Sequence, residues 1–287
     1  MAPRIFPGRV LYAAWAVSVL LAGCAGPPSR TPRPAEQAPS VSSTQEAVIP
    51  PYRARPGRGR AVIAVVGENS GVEVSDFLVP FAILSRAGTL DVSAVTLGPG
   101  PLSTFTDLGR PGFRIATDTT VAQFDAIHPE GADYIIVPAQ ASTPRLIAWL
   151  KRQSRQGATI VTICNGALVA AQMGTFDGRR ATAHWSTDAT RRKQSPEIRW
   201  TPNRRYVADG NWVSTAGVSA AIPASIALVE AISGREKAQH VARAVGAMAW
   251  SAQHDSDAFS PGWARRRCHW PPCSTPIDGC TAATRSM

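Results

Sequence analysis

The chain has 287 residues, room for one large domain with tails or for two small ones, and its 44% hydrophobic content is ample for a buried core. The formal net charge of +10 would suit nucleic acid or an anionic membrane. However, arginines near the ends, Arg53, Arg55, Arg58 and Arg60 in front and Arg265, Arg266 and Arg267 behind, account for much of it, and no nucleic-acid motif accompanies them.

The chain opens with the features of an export signal. Arg4 and Arg9 form a positive start, and residues 10–21 form an apolar stretch too short to span a bilayer as a mature helix. The stretch ends in Leu21-Ala22-Gly23-Cys24, which is similar to a bacterial lipobox. That likeness implies removal of residues 1–23, diacylation of the Cys24 sulfur and acylation of the new amine, a stable membrane anchor. Ala25 after the cysteine implies the outer membrane, facing the periplasm. Residues 24–58 carry Pro27, Pro28, Pro32, Pro34, Pro39, Pro50, Pro51 and Pro56 without apolar periodicity, and read as a disordered tether.

Residues 59–250 read as the folded domain. Residues 61–67 form a continuous apolar run, as in a buried parallel strand, and residues 74–87 form a helix closed by Gly88. Strands follow at 91–97, 133–138 and 158–163, with helices at 144–156 and 166–173. Short strands near 180–183, 205–207 and 212–214 precede helices over 219–233 and from Arg235 onward. This alternation predicts a single α/β domain with an open, mostly parallel sheet flanked by helices. Ligands bind such sheets beyond the carboxyl ends of the strands. Residues 251–287 lose the pattern and read as a poorly ordered tail; Cys268, Cys273 and Cys280 do not fit a common zinc spacing, and an oxidising compartment would favour a disulfide among them.

Cys164 follows the strand over 158–163 and precedes Asn165-Gly166-Ala167, where a helix begins. A strand-to-helix elbow pushes a nucleophile into a crevice, and the helix N-terminus behind it favours thiolate. A buried structural cysteine is the competing reading. His184, twenty residues on, can serve as base or ion-pair partner, or be a packed surface residue. Asp76, four residues before Pro80, alternates with apolar neighbours and can face the crevice as a proton acceptor; as a mere helix cap it would leave Glu73 as the candidate acid.

Residues 71–80, 134–138, 162–167, 179–185 and 209–217 together resemble the ThiJ/PfpI superfamily, over about residues 61–245. The most specific piece is Phe176-Asp177-Gly178-Arg179-Arg180-Ala181-Thr182-Ala183-His184-Trp185, and the nearest flavour is the amidase-like half of AraC-type regulators and the isonitrile hydratases. The resemblance implies a class I glutamine amidotransferase-like, flavodoxin-type fold, with Cys164 as elbow nucleophile, Asp76 as its acidic partner and His184 as the nearby histidine. Asn165 departs from the histidine of the protease branch, which argues against a peptidase, and from the threonine of the isonitrile hydratases. Where relatives often carry Pro-Gly-Gly, this chain has Pro138-Ala139-Gln140. The backbone N–H groups of Ala139, Gln140 and Asn165 are expected to form an oxyanion hole, with the Gln140 amide free to contact a ligand.

Two functions follow: a cysteine-dependent hydratase or amidase-type hydrolase acting on a small neutral molecule, or a non-catalytic ligand or redox sensor built on Cys164. A transcriptional role is not expected, because no helix-turn-helix pattern follows Trp250 and an exported lipoprotein cannot reach the chromosome. The expected associations are a small-molecule substrate or ligand, the lipid anchor and a homodimeric partner. No nucleic acid, metal or cofactor is expected.

Overall fold

The computed structural model describes residues 48–250, apart from 107, 108, 118, 203 and 249. Cys24, the signal segment, the tether up to residue 47, and the tail with Cys268, Cys273 and Cys280 lie outside the described residues. In chain order the strands are β1 Val62–Gly67, β2 Val72–Glu73, β3 Asp91–Thr96, β4 Leu102–Phe105, β5 Pro111–Ile115, β6 Thr119–Thr120, β7 Tyr134–Val137, β8 Thr159–Thr162, β9 Arg180–Ala181, β10 Arg199–Trp200, β11 Tyr206–Asp209 and β12 Trp212–Thr215. The helices are α1 Val74–Arg86, α2 Val121–Ile127, α3 Pro144–Arg155, α4 Gly166–Ala171, α5 Asp188–Gln194, α6 Val218–Ser233 and α7 Arg235–Ala244.

Seven strands form one sheet in the order β11-β12-β8-β7-β1-β3-β6. It is parallel throughout except for β11, which runs antiparallel to β12. Alternation along β1 explains its continuous apolar run. Ile63 and Val65 face a core shared with Phe77 and Leu84 of α1 and Ile226 of α6. Val62, Ala64 and Val66 face a second core shared with Leu146 and Trp149 of α3 and Ala167 of α4. A strand buried on both faces has no polar positions to spare, hence the run. The expected α/β architecture is therefore present, with most elements within a residue or two of their predicted bounds. The region 98–132 adds what periodicity did not reveal: α2, and β4 and β5, which join β2 in a second, three-stranded sheet. β5 is almost wholly exposed, which leaves its sequence without the apolar alternation that marks a strand.

Residues 48–58 differ from the predicted tether. Ile49 is buried, and the Tyr52 amide donates to the Ala231 carbonyl at 2.8 Å. Arg55 Nε and Arg58 Nη1 lie 2.9 and 2.8 Å from the Asp133 carboxylate, and the Tyr52 hydroxyl donates to it at 3.2 Å. Two arginines that inflate the net charge are thus spent on a buried acid at the N-terminal ends of β1 and β7. Composition alone cannot show this, because their partner is more than seventy residues away in the chain.

Candidate active site

Strands β1, β7, β8 and β12 are parallel, so their carboxyl ends open on one edge of the sheet, and the chemically distinctive residues gather there. Cys164, two residues beyond β8, has φ 57°, and it is the one non-glycine residue with positive φ among the described residues. Left-handed backbone is disfavoured for a side chain with Cβ, so this elbow is held by its surroundings. The Cys164 N–H donates to Thr215 Oγ1 at 3.3 Å, at the end of β12. Behind the elbow the Gly166 Cα presses on β7: a Cβ there would lie 2.0 Å from the Val137 carbonyl oxygen. Glycine is what lets α4 start this close to the sheet.

The acid on the first helix is Asp76, and its competitor Glu73 is used differently. Glu73 is the N-cap of α1, accepting from the Asp76 N–H at 2.7 Å and from the Ser75 hydroxyl at 2.5 Å. Asp76 is fully buried, turned inward against the Cys164 thiol. Its Oδ2 accepts from the Ala139 N–H at 3.2 Å, while Oδ1 has no hydrogen-bond partner among the described residues.

Burial first, and then the Glu73 carboxylate, push Asp76 up to about 7, against the pull of the Ala139 N–H. The thiol is also raised well above its ordinary range: burial is the main cause and the Asp76 carboxylate the next. The adjacent Asn165 N–H opposes this, but too weakly to prevail. The sequence reading expected the helix N-terminus to favour thiolate. α4 has only six residues, and the buried thiol feels the Asp76 and Glu73 carboxylates, so the balance goes the other way. Thiol and carboxyl form a coupled pair.

The expected oxyanion hole is rearranged. The Ala139 peptide is gripped at both ends, since its N–H goes to Asp76 and its carbonyl accepts from the Glu73 N–H at 2.8 Å. The Gln140 amide is turned to β1: Oε1 accepts from the Glu68 N–H at 2.6 Å and Nε2 donates to the Val66 carbonyl at 3.1 Å. It therefore ties the β1 and β7 loops together, as a bulkier residue in a Gly position can. Of the three expected donors, the Ala139 N–H is therefore already engaged by Asp76.

Two contacts set the His184 turn against segments that hold Cys164. Its ring lies against Gly217, two residues past Thr215; a Cβ on Gly217 would lie 3.0 Å from its Cδ2. The Thr187 hydroxyl, three residues on, donates to Asn165 Oδ1 at 2.9 Å. The structure thus joins Cys164 and Asp76 directly and mounts His184 on the neighbouring turn. Thr215 and Thr187 escaped the sequence reading; a polar residue closing a buried strand was the available signal for Thr215. No group of three or more His, Cys, Asp or Glu suited to a metal ion occurs among the described residues.

With this fold and site described, the chain can be set beside known proteins. The family model described as "DJ-1/PfpI family" matches residues 61–231, more than half of the chain. The chain belongs to the DJ-1/PfpI family. Among curated relatives, the HTH-type transcriptional regulator CdhR of Pseudomonas aeruginosa is 34% identical over 104 residues, 36% of this chain and 31% of the regulator. Isonitrile hydratase of Pseudomonas putida is 25% identical over 177 residues, 59% of this chain and 72% of the hydratase. This member of the family thus spans about a third of the regulator. Among solved structures, Drosophila melanogaster DJ-1beta covers 65% of the chain and 97% of its own, with TM-score 0.55 at 22% identity. An AraC family transcriptional regulator from Pseudomonas putida gives TM-score 0.53 at 20% identity, covering 65% and 99%. These two share the fold.

Proposed function

We propose that this DJ-1/PfpI protein is a cysteine-dependent hydratase or hydrolase of a small electrophilic molecule, with Cys164 as nucleophile and Asp76 as its proton partner. The observation that carries the reading is the thiol on a strained elbow against a fully buried carboxyl held near neutrality. A base poised at the working pH transfers protons most effectively. In the proposed cycle the Asp76 carboxylate takes the thiol proton as the sulfur bonds to the electrophilic carbon, then returns it to the substrate: to the addition product in a hydration, or to the leaving group, which departs, in a hydrolysis. Water next adds to that carbon, the C–S bond breaks, and the sulfur regains a proton, so that one water is consumed and no oxidant is needed. The similarity to an isonitrile hydratase supports an isonitrile or a related small carbon electrophile as substrate.

The purified chain is to be assayed against isonitriles, amides and dicarbonyls. Cys164→Ser is expected to abolish turnover, and Asp76→Asn to lower it about 10²-fold or more. Activity of the parent chain should rise with pH through about 7 as Asp76 ionises. Turnover that survives Cys164→Ser unchanged defeats the reading; a peroxide adduct on Cys164 without any turnover assigns it to sensing instead.

We also propose that the chain is exported and held by lipid on Cys24 at the outer membrane, which Leu21-Ala22-Gly23-Cys24 supports. Cys24→Ser should move the protein from the membrane to the soluble fraction.

A further inference from the structure

The most unusual charged group outside the thiol–carboxyl pair is Arg191. It lies on the polar helix α5, yet is 2% exposed. Burying an arginine is expensive unless its donors are used, and a leucine would fill the space more cheaply. Nη1 donates to the His184 carbonyl at 2.7 Å, Nη2 reaches Asp188 Oδ1 at 2.5 Å, and the guanidinium lies 5.4 Å over the Trp200 ring, while Nε has no hydrogen-bond partner among the described residues. Burial lowers its pKa from the usual arginine value, against the pull of Asp188.

The carbonyl that Arg191 grips is the root of the turn carrying the imidazole. The same oxygen accepts from the Thr187 N–H at 3.2 Å and lies 3.0 Å from the Thr187 hydroxyl, which also reaches Asn165 beside the nucleophile. Within this turn the Ser186 N–H donates to His184 Nδ1 at 3.3 Å, and the Ser186 hydroxyl lies 2.7 Å from the same nitrogen. A backbone N–H can only donate, so Nδ1 is the acceptor, and the neutral ring carries its proton on Nε2. The edge bearing Nε2 is the one that lies against Gly217.

We propose that Arg191 is a positioning residue: by pinning the His184 carbonyl it fixes the turn in which His184 is held as the Nε2–H tautomer, and through Thr187 it steadies Asn165 beside the nucleophile. The inference rests on the reading of Cys164 as nucleophile.

The test is 15N NMR of the histidine rings in the full chain, at a pH where the rings are neutral, with His184 assigned among the five histidines by its loss in His184→Gln. The parent should show a protonated Nε2 and a bare Nδ1. Arg191→Met should erase that tautomer preference and slow iodoacetamide alkylation of Cys164 about tenfold. Arg191→Lys, which keeps the charge but loses the planar fork, should fall between, about threefold slower. A parent spectrum with the proton on Nδ1 overturns the proposal. So does a folded Arg191→Met with the parental tautomer and alkylation rate; where that variant does not fold, the same result from Arg191→Lys decides. The two readings fail separately. Loss of the tautomer effect with Cys164-dependent turnover intact removes only the role of Arg191, whereas turnover unchanged in Cys164→Ser removes the catalytic reading and leaves the tautomer standing.

Discussion

At the N-terminal ends of the parallel strands, Asp133 receives Arg55, Arg58, the Tyr52 hydroxyl and the Val62 N–H, the last at 2.8 Å. At the C-terminal ends, Asp76 receives one backbone N–H, faces a thiol and a second carboxylate, and keeps one oxygen without a partner among the described residues. Both side chains are almost wholly buried, so burial does not distinguish them. Their partners do. A carboxylate surrounded by cations and donors holds structure together. A carboxyl denied them is left close to the point where it can take or give a proton. The fold thus places its structural acid and its chemical acid at opposite ends of the same strands.

The sharpest way to break this comparison is to remove the structural acid. Asp133→Ala leaves two arginines facing a buried gap and should destabilise the domain by about 3–5 kcal/mol in urea unfolding, with Cys164 alkylation preserved in the folded fraction. A loss below 1 kcal/mol would show that the cluster is not structural.

Asp76→Asn should act with the opposite sign. A carboxyl whose folded pKa is raised binds its proton more tightly folded than unfolded. The parent therefore loses stability as pH rises from about 4 to about 7, by up to about 4 kcal/mol, and the asparagine variant does not. The stability difference between variant and parent should widen over that window in favour of the variant, and parallel pH curves would contradict the raised pKa.

The elbow offers a smaller test. Glycine accepts φ 57° without strain, so Cys164→Gly should be more stable than Cys164→Ala by about 1 kcal/mol in thermal unfolding. Equal stabilities would mean that the elbow stores no strain. Smallest of all is the rim of the Asp133 cluster. Glu130 is 70% exposed and 3.7 Å from Arg58, and Glu130→Ala should change stability by less than about 0.5 kcal/mol. A larger loss would extend the structural cluster to the surface.

Much of the fold was legible because its signals are local. Apolar runs at 61–67 and 158–163, and glycines closing helices at Gly88 and Gly174, report on neighbours a few residues away. The position of Cys164 between a strand and Asn165-Gly166-Ala167 was equally local. The strand β5 and helix α2 were not legible, since an exposed strand and a seven-residue helix leave too weak a periodicity.

The parallel α/β sheet, the cysteine elbow and a short list of acids and a histidine to serve it follow from local pattern along the chain. The choice between Glu73 and Asp76, the engagement of the Ala139 N–H, the turning of Gln140 to β1, the burial of Arg191 under the His184 turn and the latching of residues 48–58 to Asp133 arise only on folding. Each of those outcomes depends on which groups meet across distant segments and on how much water they exclude together. Desolvation and pairing are properties of the assembled crevice, and no residue carries them in its neighbours along the chain.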